Sequence, residues 1–436
     1  MRADGRFSKY FKAVEQSNPY RLSGKVVKVV GLVIESSGPE ASIGDLCYIS
    51  KRNQDDKIPA EVVGFNNGNT LLMALSNMDG ISPGCEVRNA NKPLQVKVGD
   101  ALLGRVIDGL GEPLDGKGRI EGDKFVNLTK SPPDPLSRPR IDKKFTTGIK
   151  AIDGLITCGQ GQRVGIFAGS GVGKSVLMGM IAKSGEADVN VIALIGERGR
   201  EVREFIERDL GEEGLKKSVV VTVTSDKEAL MRVKGSLLAT SIAEYFRDMG
   251  KNVLLMMDSC TRYAMALREI GLAIGEPPTT KGYTPSVFNH LPKLLERSGT
   301  SDSGNITALY TVLVEGDDMN DPVGDSVRSI IDGHIVLSRK IAAKNHYPAI
   351  DILESVSRLF SEIANDDHSK KAGEIKELMA VYRENEDLIN IGAYVKGSNP
   401  KIDKAIAKKG TIDNFLRQNI RDSFTFEESM ELLYSL

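Results

Sequence analysis

The run Ala168-Gly169-Ser170-Gly171-Val172-Gly173-Lys174-Ser175 combines residue types that bind phosphate. Glycines at this spacing let backbone N–H groups turn inward around a phosphate, a lysine reaches the terminal phosphates, and a serine hydroxyl at the head of a helix ligates magnesium. The pattern needs a strand before it and a helix after it, and the sequence predicts both, over 163–167 and 175–184. Ala168 stands where the strict pattern has its first glycine, a departure the loop geometry should tolerate. The expected ligand is ATP with Mg2+, and the expected chemistry is hydrolysis. Such a loop works with a second carboxylate at the end of a buried strand. The apolar run 253–257 ends in Asp258, which is assigned to the magnesium shell together with Ser175. Hydrolysis also needs a group to orient or deprotonate water. Glu197, in the segment GERGRE over 196–201, follows the predicted strand 189–195 and takes that role. Arg198 is placed on the γ-phosphate or on the Glu197 carboxylate, with Glu201 in support.

These groups need a scaffold, and 436 residues suffice for several domains. Residues 1–20 carry Phe7, Tyr10, Phe11 and Val14 at helical spacing with Arg6, Lys9 and Lys12 between them, a basic amphipathic segment suited to a partner or a membrane surface. Over 21–98, short β-branched runs separated by turn residues predict a small closed β-barrel, with a hairpin turn at Asn66-Asn67-Gly68-Asn69. A Gly- and Pro-rich stretch within 99–145 reads as a connecting segment of turns rather than a core element. From there to 365, near-continuous apolar strands alternate with amphipathic helices, the pattern of a parallel sheet covered on both faces. Lys-, Glu- and Leu-rich stretches over 366–436, at 372–389 and 411–418, predict a C-terminal helical domain. The fold class is therefore multidomain α/β.

Composition excludes other classes. A net charge of -1 argues against a protein that wraps nucleic acid, which needs a surplus of Lys and Arg. Cys47, Cys85, Cys158 and Cys260 are too far apart for a zinc knuckle, and no two of the four histidines have the spacing of a helical metal site. No apolar run is long enough to span a bilayer and no signal-peptide pattern opens the chain, so a cytoplasmic protein is expected.

The loop GSGVGKS, the strand VLLMMD, the segment GERGREV and the later GYTPSVFNHLPKLLERSG and SVSRLF together resemble the catalytic subunits of F- and V-type rotary ATPases. The resemblance is closer to the export ATPases of type III secretion, especially the flagellar form, and covers nearly the whole chain. It implies a RecA-like central domain and a homohexameric ring. In that ring Arg358 would be an arginine finger completing a neighbour's site, and Tyr347 would stack on adenine, with Tyr394 in a similar position. The loop 275–283 would face a central channel that holds a stalk-like protein. The resemblance further implies work on export cargo and its chaperones, and a regulatory partner at the N-terminal segment. It also implies a peripheral place at the membrane export apparatus, at the flagellar base. A virulence-type secretion ATPase and an ATP synthase subunit are alternatives, the synthase sharing Lys174, Glu197 and Asp258. A noncatalytic ring subunit would have no use for Glu197, and an RNA translocase would need a basic, aromatic-studded surface.

Overall fold

A computed structural model describes residues 22–51, 56–314 and 321–436, together with Tyr10. Apart from Tyr10, the amphipathic segment expected in the first twenty residues lies outside the described residues. The chain divides into two compact units, one ending at Leu94 and the other beginning at Gln95.

In the first unit six strands, Ser23–Val30, Val33–Ser37, Asp45–Ser50, Lys57–Asn66, Asn69–Ala74 and Glu86–Pro93, close into a barrel. Closure pairs every strand on both sides and removes the edges that would recruit other chains. Because successive strand residues face opposite sides, one set of side chains, including Val26, Ile34, Ile49, Val62, Leu72 and Val87, fills the interior. Asn67 and Gly68, at φ 47° and 81°, form the two-residue turn that the sequence announces. The strand Gln95–Val98, included with the barrel in the sequence reading, pairs instead with Lys124–Asn127 in the second unit.

The second unit is built on a nine-stranded sheet. Its path runs Ile350–Ser357, Gly333–Leu337, Arg163–Ala168, Asn305–Leu313, Asn252–Asp258, Val189–Ile195, Ser218–Val223 and Arg105–Ile107. The strands expected to be near-continuous apolar runs are buried along almost their whole length, as helices on both faces require. Two features depart from the sequence reading. The sheet is mixed rather than wholly parallel, because the edge strand Ile350–Ser357 and the short Gly299–Thr300 run antiparallel. The supposed connecting segment also contributes a core element: Arg105–Ile107 pairs in parallel with Ser218–Val223 and buries Ile107. A strand of three residues is too short for a periodic signal.

Three helices follow, Asp366–Asn390, Pro400–Leu416 and Phe426–Ser435. Each starts where a side chain satisfies an orphan N–H: Asn365, Asn399 and Thr425, the last in a capping box with Glu428. Their apolar faces join the main core through Ile375, Ile412, Phe415 and Leu433, which pack with Ile152 and Leu155 of the helix Lys150–Leu155. Phe415 lies so close to Gly154 that a Cβ there would sit 3.0 Å from its ring.

Candidate active site

Three parallel strands deliver the chemistry to one edge of the sheet. Arg163–Ala168 leads into the phosphate loop, Val189–Ile195 into Glu197, and Asn252–Asp258 ends on Asp258 itself, with Leu194 in register with Asp258. Open α/β sheets bind ligands at this carboxyl edge. Ala168 is the last strand residue, so its methyl group costs nothing, and the turn begins at Gly169. There a Cβ would come within 2.7 Å of the Arg339 guanidinium. Gly171 and Gly173 hold φ of 78° and 87°, which other residues adopt only with strain. The helix Lys174–Ser184 starts at once, directing its N-terminal N–H groups and dipole toward the loop.

Lys174, Glu197 and Asp258 form one screened cluster, with side chains 12%, 15% and 5% exposed. The Lys174 ammonium donates to Asp258 Oδ1 and lies 3.8 Å from Glu197 Oε1. The Thr311 hydroxyl donates to the same Asp258 oxygen at 2.7 Å, fixing the carboxylate from the neighbouring strand. Burial, and then the charge of Asp258, push the Glu197 carboxyl up to about 7, against the pull of Lys174. A carboxyl so tuned exchanges a proton readily near neutral pH, as a general base must.

The oxygen donors also suit magnesium. Ser175 opens the helix beside the loop, and Asp258 presents a carboxylate at the strand end. Among the described residues no group of three or more His, Cys, Asp or Glu could hold a metal by itself. A sparse oxygen set completed by substrate phosphates is how nucleotide-borne magnesium is usually bound.

Not every residue expected at the site is there. The Arg198 side chain is 82% exposed and pairs with Glu201 at 3.5 Å, so it does not fix the Glu197 carboxylate; Lys174 is the cation beside it. Tyr347 does reach the loop: its ring lies against Gly173, where a Cβ would sit 3.5 Å from Cδ1, and the residue is 43% exposed. Tyr394 does not join it. Its hydroxyl donates to the Asn399 carbonyl and bonds Asp403 Oδ1, bracing the turn into the helix Pro400–Leu416. Arg358 stands at the far end of the sheet, exposed just after Ile350–Ser357.

Three residues that were not read from the sequence border these groups. Arg262 packs on Gly196, the residue before Glu197, and its buried Nε has no hydrogen-bond partner among the described residues. Gln418 donates its backbone N–H to the Tyr347 carbonyl, while its side chain accepts from Lys150 N and donates to the Gly148 carbonyl. Arg339 lies against Gly169, as above. Each acts across elements distant in sequence, so no local motif marks it.

Comparison with known proteins fits this geometry. The β-barrel domain model of the ATP synthase alpha/beta family matches residues 26–91, the nucleotide-binding domain model of that family matches 148–357, and the C-terminal domain model of the type III secretion ATPase EscN matches 364–435. A flagellum-specific ATP synthase of Bacillus subtilis is 57% identical over 97% of each chain. This chain belongs to the flagellar and type III secretion ATPase family. A type 3 secretion system ATPase of Xanthomonas euvesicatoria is 52% identical to this export ATPase over 95% of it and 94% of the relative. The assembled ATPase EscN of enteropathogenic E. coli superimposes on it with a TM-score of 0.90 at 49% identity, covering 94% of this chain and 99% of that one. The same relative has been solved with its central stalk EscO, at a TM-score of 0.87 and 48% identity, with the same coverage. Among the described residues of the export ATPase, no helix is long and apolar enough to cross a membrane.

Proposed function

We propose that this export ATPase hydrolyses magnesium-bound ATP at sites shared between identical subunits of a homohexameric ring. The observation that carries the proposal is where Arg358 lies. Its backbone N–H donates to the Asp332 carbonyl, and Asp332 N–H donates to the Arg163 carbonyl, so Arg358 is level with the start of the strand Arg163–Ala168. Five residues of strand, at about 3.3 Å each, separate that level from Ala168 by roughly 17 Å. A finger there is too far from its own phosphate loop but is exposed to meet another copy's. One chain holds both Glu197 and Arg358, so identical subunits supply both halves of every site.

In the reaction Glu197 orients a water and accepts its proton as the water oxygen bonds to the γ-phosphorus and the bond to the β–γ bridging oxygen breaks, releasing ADP. Lys174 leaves Asp258 for the β- and γ-phosphate oxygens, and the neighbour's Arg358 stabilises the charge that develops. The unpartnered Arg262 Nε–H is suited to a further phosphate oxygen. Magnesium, held by Ser175 Oγ and within reach of Asp258, would supply charge neutralisation at the phosphates. Tyr347 offers its exposed face to the adenine.

We further assign the energy to protein export, acting on cargo and chaperones with the enzyme seated peripherally at the flagellar base. EscN with its stalk EscO supports a stalk-like partner in the ring's channel. Family membership supports the remaining partners.

Mixing two inactive variants tests the shared site. Glu197→Gln chains keep the finger and Arg358→Ala chains keep the base, so co-assembled rings should regain part of the wild-type rate while each variant alone stays inactive. If mixing at concentrations where mass measurement shows mixed rings restores nothing, the two residues do not serve one site across an interface.

A further inference from the structure

The helix Pro322–Ile330 spans the sheet between its two functional edges. Its first turn is fixed by Asp321, whose side chain accepts the N–H groups of Val323 at 2.9 Å and Gly324 at 3.3 Å. It begins a few residues beyond Val314, whose N–H donates to the Ala168 carbonyl at the head of the phosphate loop. Its last turn leads into Asp332, beside the Arg358 backbone. Helix C-termini leave carbonyls without an intrahelical partner, and their dipole favours a cation. Here the Arg328 carbonyl, in that last turn, accepts from Arg358 Nη2 at 3.2 Å.

The helix orients this carbonyl, and the Arg328 side chain ties the turn that carries it to the sheet. Its guanidinium lies 5.2 Å from the centroid of the Phe167 ring and bonds Asp325 at 3.1 Å. Phe167 is buried in the strand directly before Ala168, and the His334 ring meets it edge-on at 5.6 Å. Cation–π contact with so immobile a ring anchors the last helical turn to the central strand.

We propose that Arg328 is a positioning residue for the arginine finger, its side chain clamped over Phe167 so that its carbonyl holds the Arg358 guanidinium at the face offered to the neighbouring subunit. The proposal rests on the shared-site reading. Arg328 touches no substrate; it acts through Arg358.

A kinetic cycle on the full-length, assembled protein tests this, with kcat and KM for ATP measured for wild type, Arg328→Ala, Arg358→Ala and the double variant. Arg328→Ala keeps the backbone carbonyl but releases the turn that presents it, and loosening this hydrogen bond to a charged group should lower kcat about tenfold. KM should stay within about twofold, because ground-state binding is untouched. In the Arg358→Ala background the same substitution should change kcat no further. Phe167→Leu, which removes the ring and leaves Arg328 in place, should reproduce the kcat loss if Arg328→Ala fails to fold. Arg328→Lys, which keeps a cation over the ring, should recover part of the rate. Equal losses in both backgrounds, an unchanged kcat, or a rise in KM alone would overturn the proposal, since each would show Arg328 serving the fold or its own phosphate loop. A wild-type rate in Arg358→Ala itself would instead overturn the shared-site reading.

Discussion

At the carboxyl edge of the central sheet Lys174, Glu197 and Asp258 are packed against one another and screened from solvent, whereas at the opposite edge Arg358 is exposed and held by the backbones of Arg328 and Asp332. The first edge is organised within one chain: strand register, a glycine turn and Thr311 set its geometry. On the shared-site reading, the second is a surface whose reaction partner lies on another molecule. That reading makes half of the catalytic apparatus intrinsic to the fold and half conditional on assembly.

The largest effect that would break this contrast is expected from Arg358→Ala. A finger in trans is worth about a thousandfold or more in kcat, and the loss should appear only at protein concentrations where the wild type forms rings. Steady-state rates across a dilution series check this; equal wild-type and variant rates in the assembled state would remove the conditional half.

Glu197→Gln should lower the rate about a hundredfold or more while nucleotide binding, read by equilibrium titration, is retained. It should also reveal the cost of the buried edge. A carboxyl raised from its ordinary 4.5 to about 7 favours the fold while protonated, a contribution complete below 4.5 and lost as pH climbs through 7. Glutamine is neutral at every pH, so the variant's thermal midpoint should gain on the wild type between about pH 5 and about pH 8. A difference independent of pH would show that Glu197 is not screened as described.

The smallest effects separate the two tyrosines. Tyr347→Ala should raise KM for ATP about tenfold, the scale of one lost base–aromatic stack. Tyr394→Ala should leave KM alone and cost about 1 kcal/mol of stability through its lost hydrogen bonds. A KM effect at Tyr394 would return it to the nucleotide site.

The contrast between the edges also explains what the sequence could disclose. Lys174, Ser175 and Asp258 were legible because each sits at a strand end or helix start that local hydropathy marks. The chain of helices and buried strands was legible for the same reason. Of the two places given to Arg198, the Glu197 carboxylate fails because neighbours along the chain, just past a strand end, need not face the same way: Glu197 turns inward and Arg198 outward into a pair with Glu201. Arg262, Gln418 and Arg328 gave no signal, since each is placed by a contact with Gly196, Tyr347 or Phe167 in a distant part of the chain. The antiparallel edge strand Ile350–Ser357 alternates buried and more exposed positions along much of its length, a two-residue period that a search for continuous apolar runs passes over.

Gln418 ties the C-terminal layer to the wall of the phosphate loop. It is bonded to the carbonyl of the aromatic beside the phosphate loop and to the backbone on both sides of Ile149, so the helices flanking it share a mechanical reference with the wall beside that loop. A torque applied to those helices from outside would be transmitted along these bonds to Tyr347 and so to its packing against Gly173.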